Sequence, residues 1–399
     1  MKGSSMTTVV LLLVMVMCGE MSNAHDDQPP QSVFDITKYG AVCDGKTDIS
    51  KALTKAWCDA CASSCASKVV IPPGEYLCGV TNLAGPCKAP IELEINGNLK
   101  APSVIKGEDW LVVQYVNDVK IFGTGTLDGQ GGQCWEKKGD RAPRSSQNSN
   151  TKIIQNMRFQ NINNGWVEGL TSKDSKFFHM STLYVKNMTL TKLHMIAPAE
   201  SRNTDGIHIS RSSCITVTDS TIATGDDCVS MADGLDTITI RNIKCGPSHG
   251  ISIGSLGKYV TETPLKSITI QNCTIADSDN GIRIKSWPDM FATSLTDVHF
   301  EDIILENVDN PIIIDQMYCP DGACKSKGPS KVQISDVFFK NVKGTSKCKE
   351  IIQLICSSSH PCQNVQMCDV DITYKGGVGQ AVCENVKPLI SGVMNPKGC

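Results

Sequence analysis

A short phrase of alternating apolar and polar residues recurs along the chain from about residue 115 onward. Each copy has apolar residues at its first and third places and Asn or Asp at its fifth. The seven copies span residues 183–188, 215–220, 238–243, 268–273, 298–303, 337–342 and 365–370. Their starts lie roughly 23 to 39 residues apart, which is typical of stacked coils joined by loops of varied length.

One such coil cannot bury its apolar face alone, so successive coils must stack, with β-branched residues inside and Asn or Asp at the bends. The pattern predicts an all-β fold, a single-domain right-handed parallel β-helix over residues 25–399. A β-sandwich or a propeller fits less well, because hairpin signals are sparse and the spacing is uneven.

The clearest helical pattern spans residues 49–57, where apolar residues fall at helical spacing behind a possible N-cap, Asp48. It precedes an apolar strand pattern at 69–71. Because the end of a solenoid must be covered, we expect a short N-terminal capping helix here.

The first residues have the pattern of a secretory signal peptide. Lys2 precedes an apolar run at 9–17, and the small residues Ser22, Asn23 and Ala24 follow. We expect residues 1–24 to be removed and the mature protein to be secreted. No later segment approaches 18 uninterrupted apolar residues, so no membrane anchor is expected.

The chain contains 20 cysteines in 399 residues, a number typical of proteins in oxidising environments, where disulfides persist. Loss of Cys18 with the leader leaves an odd number. Cys58, Cys61 and Cys65 lack zinc-site spacing and are interpreted as disulfide partners, so no metal is expected.

Two sequons, at Asn187 and Asn272, are candidate glycosylation sites and would then lie at the surface. The formal charge of −3 provides no broad basic field for a nucleic acid or polyanion, so an acidic substrate must be held by a few local cations.

Four short motifs fall on successive predicted coils: Asn203-Thr-Asp205-Gly, Gly-Asp226-Asp227-Cys, Ser-His249-Gly and Arg283-Ile-Lys285. Stacking brings residues one repeat apart onto one outer face. Closely spaced carboxyls separate in proton affinity, so one can stay protonated while another is ionised. The Arg fork and the Lys point charge suit a carboxylate ligand.

Each motif residue also has a purely structural interpretation. Asp205 could serve a turn, His249 could be a structural histidine, and Arg283 with Lys285 could be a solvated strand face. The adjacent aspartates are harder to explain in this way, because a solenoid gains nothing from neighbouring like charges.

In this order the four motifs resemble the polygalacturonase family, glycoside hydrolase family 28, over nearly the whole chain after the leader. The residues at 246–247, Gly281 and 316–319 are similar to those of plant pollen exopolygalacturonases. Two departures are visible: Ser248 stands where the family usually has Gly, and Met-Ala-Asp-Gly at 231–234 stands where Ile-Gly is commoner.

The resemblance implies a pectin-lyase-like solenoid that hydrolyses α-1,4 bonds of polygalacturonate with inversion, without a cofactor, and releases galacturonate from the non-reducing end. Asp226 would be the general acid, Asp205 and Asp227 would hold and deprotonate the water, and His249 would tune the proton of Asp226. The implied substrate-binding residues are Arg283, Lys285, Asn203 and Tyr318.

The resemblance also implies a structural disulfide between Cys228 and Cys245. Cys356 with Cys362, and Cys383 with Cys399, are further candidate local pairs, although the sequence leaves the connectivity open. We expect a monomer in the plant cell wall with pectin as its partner and no nucleic acid or membrane. The alternatives are an endo-acting polygalacturonase, a Ca²⁺-dependent lyase on the same fold, and a catalytically weak pectin-binding protein.

Overall fold

The computed structural model describes residues 31–105, 109–135, 154–322, 324, 326 and 328–399. The predicted signal peptide, residues 1–24, lies outside them. The described helical segments are one α-helix and three short 3-10 turns: Ser50–Ala62, Ile36–Tyr39, Gly131–Gln133 and Pro320–Gly322.

The remaining regular structure is β, and its strands wind in parallel coils. Eleven described strands form one parallel sheet in chain order: Thr81–Ala84, Leu111–Gln114, Met157–Gln160, Met180–Leu183, Ile207–Ser210, Val229–Met231, Ile251–Leu256, Asn280–Ser286, Asn310–Asp315, Glu350–Ile355 and Gln380–Glu384. We call this the eleven-strand sheet.

The other twenty-one described strands form a second, continuous sheet that covers the remaining faces of the coils. Its strands are Ser32–Asp35, Ser67–Ile71, Glu75–Leu77, Ile91–Ile95, Asn98–Lys100, Asn117–Phe122, Thr126–Asp128, Asn163–Glu168, Thr171–Lys173, Lys186–Thr191, His194–Ile196, Ser213–Thr218, Thr221–Ala223, Asp236–Arg241, Lys244–Cys245, Leu265–Ala276, Thr293–Val308, Val332–Ser346, Gln363–Tyr374, Gly377–Val378 and Leu389–Asn395. The predicted right-handed parallel β-helix is confirmed.

Six of the seven predicted phrase copies stack in register in the twenty-one-strand sheet. Their first residues pair in succession as Ile215, Ile238, Ile268, Val298, Val337 and Val365. These side chains are buried and belong to one continuous apolar core. The period-2 pattern therefore identified the inward-facing positions of these coils correctly.

The first predicted copy, at 183–188, is wrong in phase. Leu183 ends a strand of the eleven-strand sheet and pairs with Ser210, whereas Met188 pairs with Ile215. The coil bends between these two strands, and apolar and polar residues alternate in both. Only the pairing with the next coil shows that the two strands belong to different sheets. The equivalent phrase starts five residues later, at Met188.

The Asn or Asp at the fifth place of the phrase forms the bend of each coil. Asp219, Asn242 and Asn272 have φ values of 52°, 54° and 51°, in the left-handed region that these short polar residues tolerate best. Their side chains also form a ladder along the solenoid, because Asn242 donates to Asp219 at 2.8 Å and Asn272 donates to Asn242 at 2.7 Å.

The N-terminal helix is present and longer than predicted, because it runs from Ser50 to Ala62 instead of ending at Trp57. The Asp48 carboxylate accepts from Ser50 N and from Gly79 N, both at 2.8 Å, so it ties the helix start to the first coils. Trp57 is fully buried and donates from its indole to Ala84 O at 3.1 Å. The helix thus packs its apolar face onto the end of the core.

The disulfides of the described residues are mostly local in sequence. Five of them join Cys61–Cys87, Cys228–Cys245, Cys319–Cys324, Cys356–Cys362 and Cys383–Cys399. The expectation that Cys58 and Cys65 are disulfide partners is wrong, since both are exposed free thiols and only Cys61 of that cluster is bonded. Local spacing alone could not show which thiol of the cluster faces Cys87.

The two sequon asparagines both sit at bends of the coils. Asn272 is exposed, whereas Asn187 is half-buried and donates to Asn164 at 2.8 Å. No helix in the described ranges combines the length and apolar character needed to cross a bilayer.

Candidate active site

The eleven-strand sheet presents a row of polar side chains on its outer face. His208 pairs with Ser230, Ser230 with Ser252, and Ser252 with Arg283 on four successive strands. The flanking positions are Ile or other apolar residues that point into the core. Alternation along each strand, combined with in-register stacking, therefore puts these polar groups side by side.

The three aspartates lie in the bends that precede these strands. Gly206 N donates to Asp227 O at 2.9 Å, and His249 N donates to Asp226 O at 2.9 Å, so the bends themselves are stacked. The strand begins only at Val229, so Asp226 and Asp227 both lie in the bend that precedes it.

Asp227 is surrounded by donors. Its Oδ1 accepts from Ser252 Oγ at 2.7 Å and from Arg283 Nη2 at 2.9 Å, and its Oδ2 accepts from Lys285 Nζ at 2.9 Å. Only 2% of its side chain is exposed. Two cations compensate the buried charge, and the three bonds fix the orientation of both oxygens.

Asp226 faces His249. His249 Nδ1 lies 3.0 Å from Asp226 Oδ1, and its Nε2 lies 3.3 Å from the exposed Asp279. Burial lowers the pKa of His249, but the hydrogen bond to Asp226 and the charges of Asp226 and Asp227 outweigh it, so the pKa is raised above its ordinary value. The imidazole can therefore hold a proton beside Asp226.

Asp205 is the third member of the cluster and is buried. Burial is the main cause that raises its pKa well above the ordinary aspartate value, and the charges of Asp226 and Asp227 add to the effect. A hydrogen bond with Ser230 acts in the opposite direction. The site thus contains three carboxyls that cannot all be ionised easily, so it retains a proton.

The remaining predicted site residues lie around this cluster. Asn203 occupies the bend before Asp205 with a φ of 57°. The Tyr318 ring centroid lies 5.4 Å from Lys285 Nζ and 6.1 Å from the Trp287 ring, which meets it edge-on. Tyr318 therefore borders Lys285.

His208 was missed by the sequence reasoning. Its ring stacks on Phe178 with centroids 4.4 Å apart, and its Nδ1 lies 2.8 Å from Ser230 Oγ. Burial lowers the pKa of His208 to about 4, so it is a neutral group in the floor of the groove. The sequence feature that could have revealed His208 is a polar residue between Ile207 and Ile209, directly after the Asp205 motif.

The departure at Ser248 faces away from the groove. Ser248 Oγ accepts from Gly250 N at 2.9 Å and lies 2.9 Å from Ser278 Oγ and 3.1 Å from Cys245 Sγ. Cys245 is bonded to Cys228, the residue after Asp227. The hydroxyl therefore completes the bend beneath the catalytic candidates without narrowing the site above them.

The departure at 231–234 supports a neighbouring loop, residues 257–263. Asp233 Oδ2 accepts from Arg211 Nε at 3.1 Å and from Thr263 N at 3.2 Å. Gly234, with a φ of 70°, donates from its backbone to Thr263 O at 3.0 Å. This segment thus holds one end of a loop whose other end leaves the strand Ile251–Leu256.

Among the described residues, no group of three or more His, Cys, Asp or Glu is arranged to hold a metal ion. The arrangement supplies a proton donor, an oriented carboxylate and two cations within one groove. These groups suit general acid–base attack on a bond in an anionic chain.

Comparisons with known proteins agree with this chemistry. The profile of glycosyl hydrolases family 28 matches residues 61–396. A Medicago sativa polygalacturonase is 46% identical, with 98% of this chain and 92% of that protein covered. An Arabidopsis thaliana exopolygalacturonase, clone GBGA483, is 43% identical, with 93% of this chain and 84% of that protein covered.

A solved structure shares the fold. The endo-xylogalacturonan hydrolase from Aspergillus tubingensis superposes with a TM-score of 0.76 at 24% identity, covering 89% of this chain and 96% of that chain. The match of the family profile over most of the chain, together with relatives above 40% identity, is decisive. The chain belongs to the polygalacturonase family, glycoside hydrolase family 28.

Proposed function

We propose that this glycoside hydrolase, which acts on polygalacturonate, cleaves α-1,4-galacturonosyl bonds with inversion and releases galacturonate from the non-reducing end. The observation that carries the proposal is the cluster of Asp205, Asp226 and Asp227 on adjacent bends beside Arg283 and Lys285. In this reading Asp226 is the general acid, and Asp205 and Asp227 hold the attacking water.

Asp226 is suited to give its proton to the leaving oxygen. Its partner His249 carries a raised pKa, and the pair is connected to solvent through the exposed Asp279. A proton spent on the leaving group can therefore be replaced from solvent through the imidazole.

Asp227 is suited to orient the water from the opposite side. Ser252, Arg283 and Lys285 fix both of its oxygens, so the remaining lone pairs have a defined direction. Asp227 would take the proton of the water, and Asp205, which retains a proton in the free site, would hold that water by a hydrogen bond. Inversion requires that such a water fit between acid and base.

Arg283 and Lys285 keep donors for the substrate after binding Asp227. Arg283 uses Nε and Nη2 on Ser252 and Asp227, and Lys285 uses one of three ammonium hydrogens. Their free donors can bind the carboxylate of a galacturonate while Asp227 keeps its orientation. Tyr318 and Asn203 would contact the same sugar or its neighbour.

The finer assignments rest on the relatives and on the chemistry of the chain. Release of single galacturonates from the non-reducing end is supported by the Arabidopsis relative, which is named an exopolygalacturonase. Removal of residues 1–24, glycans on Asn187 and Asn272, and secretion to the plant cell wall fit the leader pattern and the five described disulfides. The mature domain, residues 25–399, would act as a monomer without a cofactor.

The test is to incubate mature protein with polygalacturonate and a chelator while following reducing ends, viscosity, product size and unsaturated products. We expect reducing ends to rise with little loss of viscosity and with galacturonate as the product. An Asp226→Asn variant should lose at least ~10²-fold in kcat, the lower range for removal of a general acid.

Other outcomes of this experiment would change the proposal. A rapid loss of viscosity would make the enzyme endo-acting, and unsaturated products would make it a lyase. No activity from folded protein that still binds polygalacturonate would identify a pectin-binding protein. The buried orientation of Ser248 argues against that last outcome, because the residue leaves the groove unobstructed.

A further inference from the structure

A third cation, Lys258, lies near the proposed binding site of Arg283 and Lys285. Lys258 Nζ is 5.0 Å from the Trp287 ring centroid and 5.3 Å from the Tyr259 ring centroid. Trp287 in turn meets Tyr318 edge-on, and Lys285 Nζ lies over Tyr318. Two aromatic rings, Tyr318 and Trp287, therefore lie between the cations Lys285 and Lys258.

The order along this strip is Lys285, Tyr318, Trp287 and Lys258, with Tyr259 at its outer end. Such a strip of cations and rings matches a chain of acidic sugars, because each sugar offers a carboxylate to a cation and an apolar face to a ring. Trp287 is 7% exposed, whereas Tyr259 is 57% exposed. The strip thus runs from the buried centre of the site to its open rim.

The backbone that carries Lys258 is held in place from both sides. The Glu262 carboxylate accepts from the backbone N–H groups of Gly257, Lys258 and Tyr259. Burial raises the pKa of Glu262, and the three backbone hydrogen bonds oppose that effect. The loop is therefore closed on itself around one carboxylate.

The far end of the same loop is tied to the solenoid. Arg211 Nη2 donates to Thr261 O at 3.2 Å, and Asp233 accepts from Thr263 N at 3.2 Å. Trp287 is fixed as well, since its indole donates to Ser255 Oγ at 2.9 Å. A binding group on a pre-ordered loop loses little conformational entropy when the ligand binds.

We propose that Lys258, Trp287 and Tyr259 form an additional subsite that binds the next galacturonate beyond the one held by Arg283 and Lys285. Lys258 contacts the carboxylate of that sugar, the exposed ring of Tyr259 supports its ring face, and the buried Trp287 holds the Lys258 ammonium in place. The subsite makes the enzyme prefer chains of three or more galacturonates. This inference rests on the proposed function, because it assumes a galacturonan in the groove.

The test compares kcat/KM for digalacturonate and trigalacturonate in native protein and in Lys258→Met. Productive digalacturonate spans only the cleavage site, whereas trigalacturonate reaches the new subsite. We expect kcat/KM for trigalacturonate to fall about 10-fold, in line with loss of one charge-assisted contact, and the value for digalacturonate to change much less. Lys258→Arg should restore most of the preference for the trimer.

Lys186→Met is the matched control, since it removes an exposed lysine from the twenty-one-strand sheet and should change neither value. An equal fall for both substrates, or no fall for either, would overturn the subsite. If native protein cleaves neither oligomer, the proposed function fails. Trigalacturonate binding measured by calorimetry then decides the subsite, which stands only if Lys258→Met weakens that binding and Lys186→Met does not.

Discussion

At the residue scale, the environment of each carboxyl differs although the residue type is the same. Asp227 is hydrogen-bonded to two cations and Asp226 to an imidazole. Asp205 is buried, and the charges of Asp226 and Asp227 act on it. Neighbours separate the properties of like groups in this way, because each partner stabilises a different protonation state. Substitutions of the partners should therefore alter pH dependence as well as rate.

His249→Gln should lower kcat by ~10²-fold or more and alter the basic limb of the pH profile, because the residue holds a proton beside Asp226. The raised pKa of His249 places loss of that proton above pH ~6.5, so native activity should decline above this value and the variant should lack this decline. The measurement is kcat against pH.

The matched control for this prediction is His299→Gln. His299 has the same side-chain exposure as His249, 33%, and a similar ion pair, 3.0 Å to Asp297, but lies on the other sheet. Its variant should keep the native profile. A native-like profile in His249→Gln would show that the imidazole does not serve Asp226.

Ser248→Gly restores the residue that the family usually has at this position. Because the Ser248 hydroxyl bonds Gly250 N and Ser278 below the groove, the change should lower the free energy of unfolding by about 1–2 kcal/mol. It should leave kcat/KM within about twofold, since no site group is moved. Urea unfolding and initial rates test both parts, and a large gain in activity would contradict this assignment.

At the element scale, stacked bends determine the geometry of the coils. The place that Asp219 and Asn242 occupy in the left-handed region is taken by Lys192 in the coil before Asp219, with a φ of 52°. A lysine in this conformation is strained, because its Cβ crowds the following carbonyl. This coil is therefore a weak point of the ladder.

Lys192→Asn should raise the free energy of unfolding by about 0.5–1 kcal/mol, because Asn tolerates the left-handed conformation better. The exposed ion pair between Lys192 and Glu168, lost in the variant, contributes little. Lys186→Asn, in the adjoining extended strand, is the control and should be neutral or destabilising. Equal effects of the two changes in urea unfolding would refute the conformational explanation.

At the scale of the whole molecule, buried histidines make stability depend on pH. Burial lowers the pKa of His179 to about 3 and of His208 to about 4, from an ordinary 6.5. Between these values and 6.5 the unfolded chain binds protons that the folded chain does not, so the free energy of unfolding falls as pH falls. The raised pKa of Asp205 opposes this trend.

His208→Gln should reduce the slope of unfolding free energy against pH, between pH ~4.5 and ~6, by up to about 1.4 kcal/mol per pH unit. The exposed His194 gives the control, His194→Gln, which should leave the slope unchanged. Urea unfolding at several pH values measures both. An unaltered slope in His208→Gln would mean that this histidine is protonated in the folded state.

Much of the architecture could be predicted from the sequence, because it depends on local periodicity. Alternation identified the inward positions of six coils, and the four motifs identified the groups that stacking brings together. Local sequence could not show that the repeat near residues 183–188 starts at Met188. Nor could it show that Cys58 and Cys65 are free thiols. Those features depend on which residues meet after the chain turns a corner.

The sequence by itself determined the repeat, the family and the chemical types present in the groove, since these follow from residue order. Only the tertiary structure decided which partner each aspartate has, that Ser248 points below the site, and that His208 lies in its floor. It alone also placed Lys258 beside Trp287, two residues 29 positions apart in the chain. Contacts between successive coils join residues a full repeat apart, and no local pattern encodes which of these side chains meet.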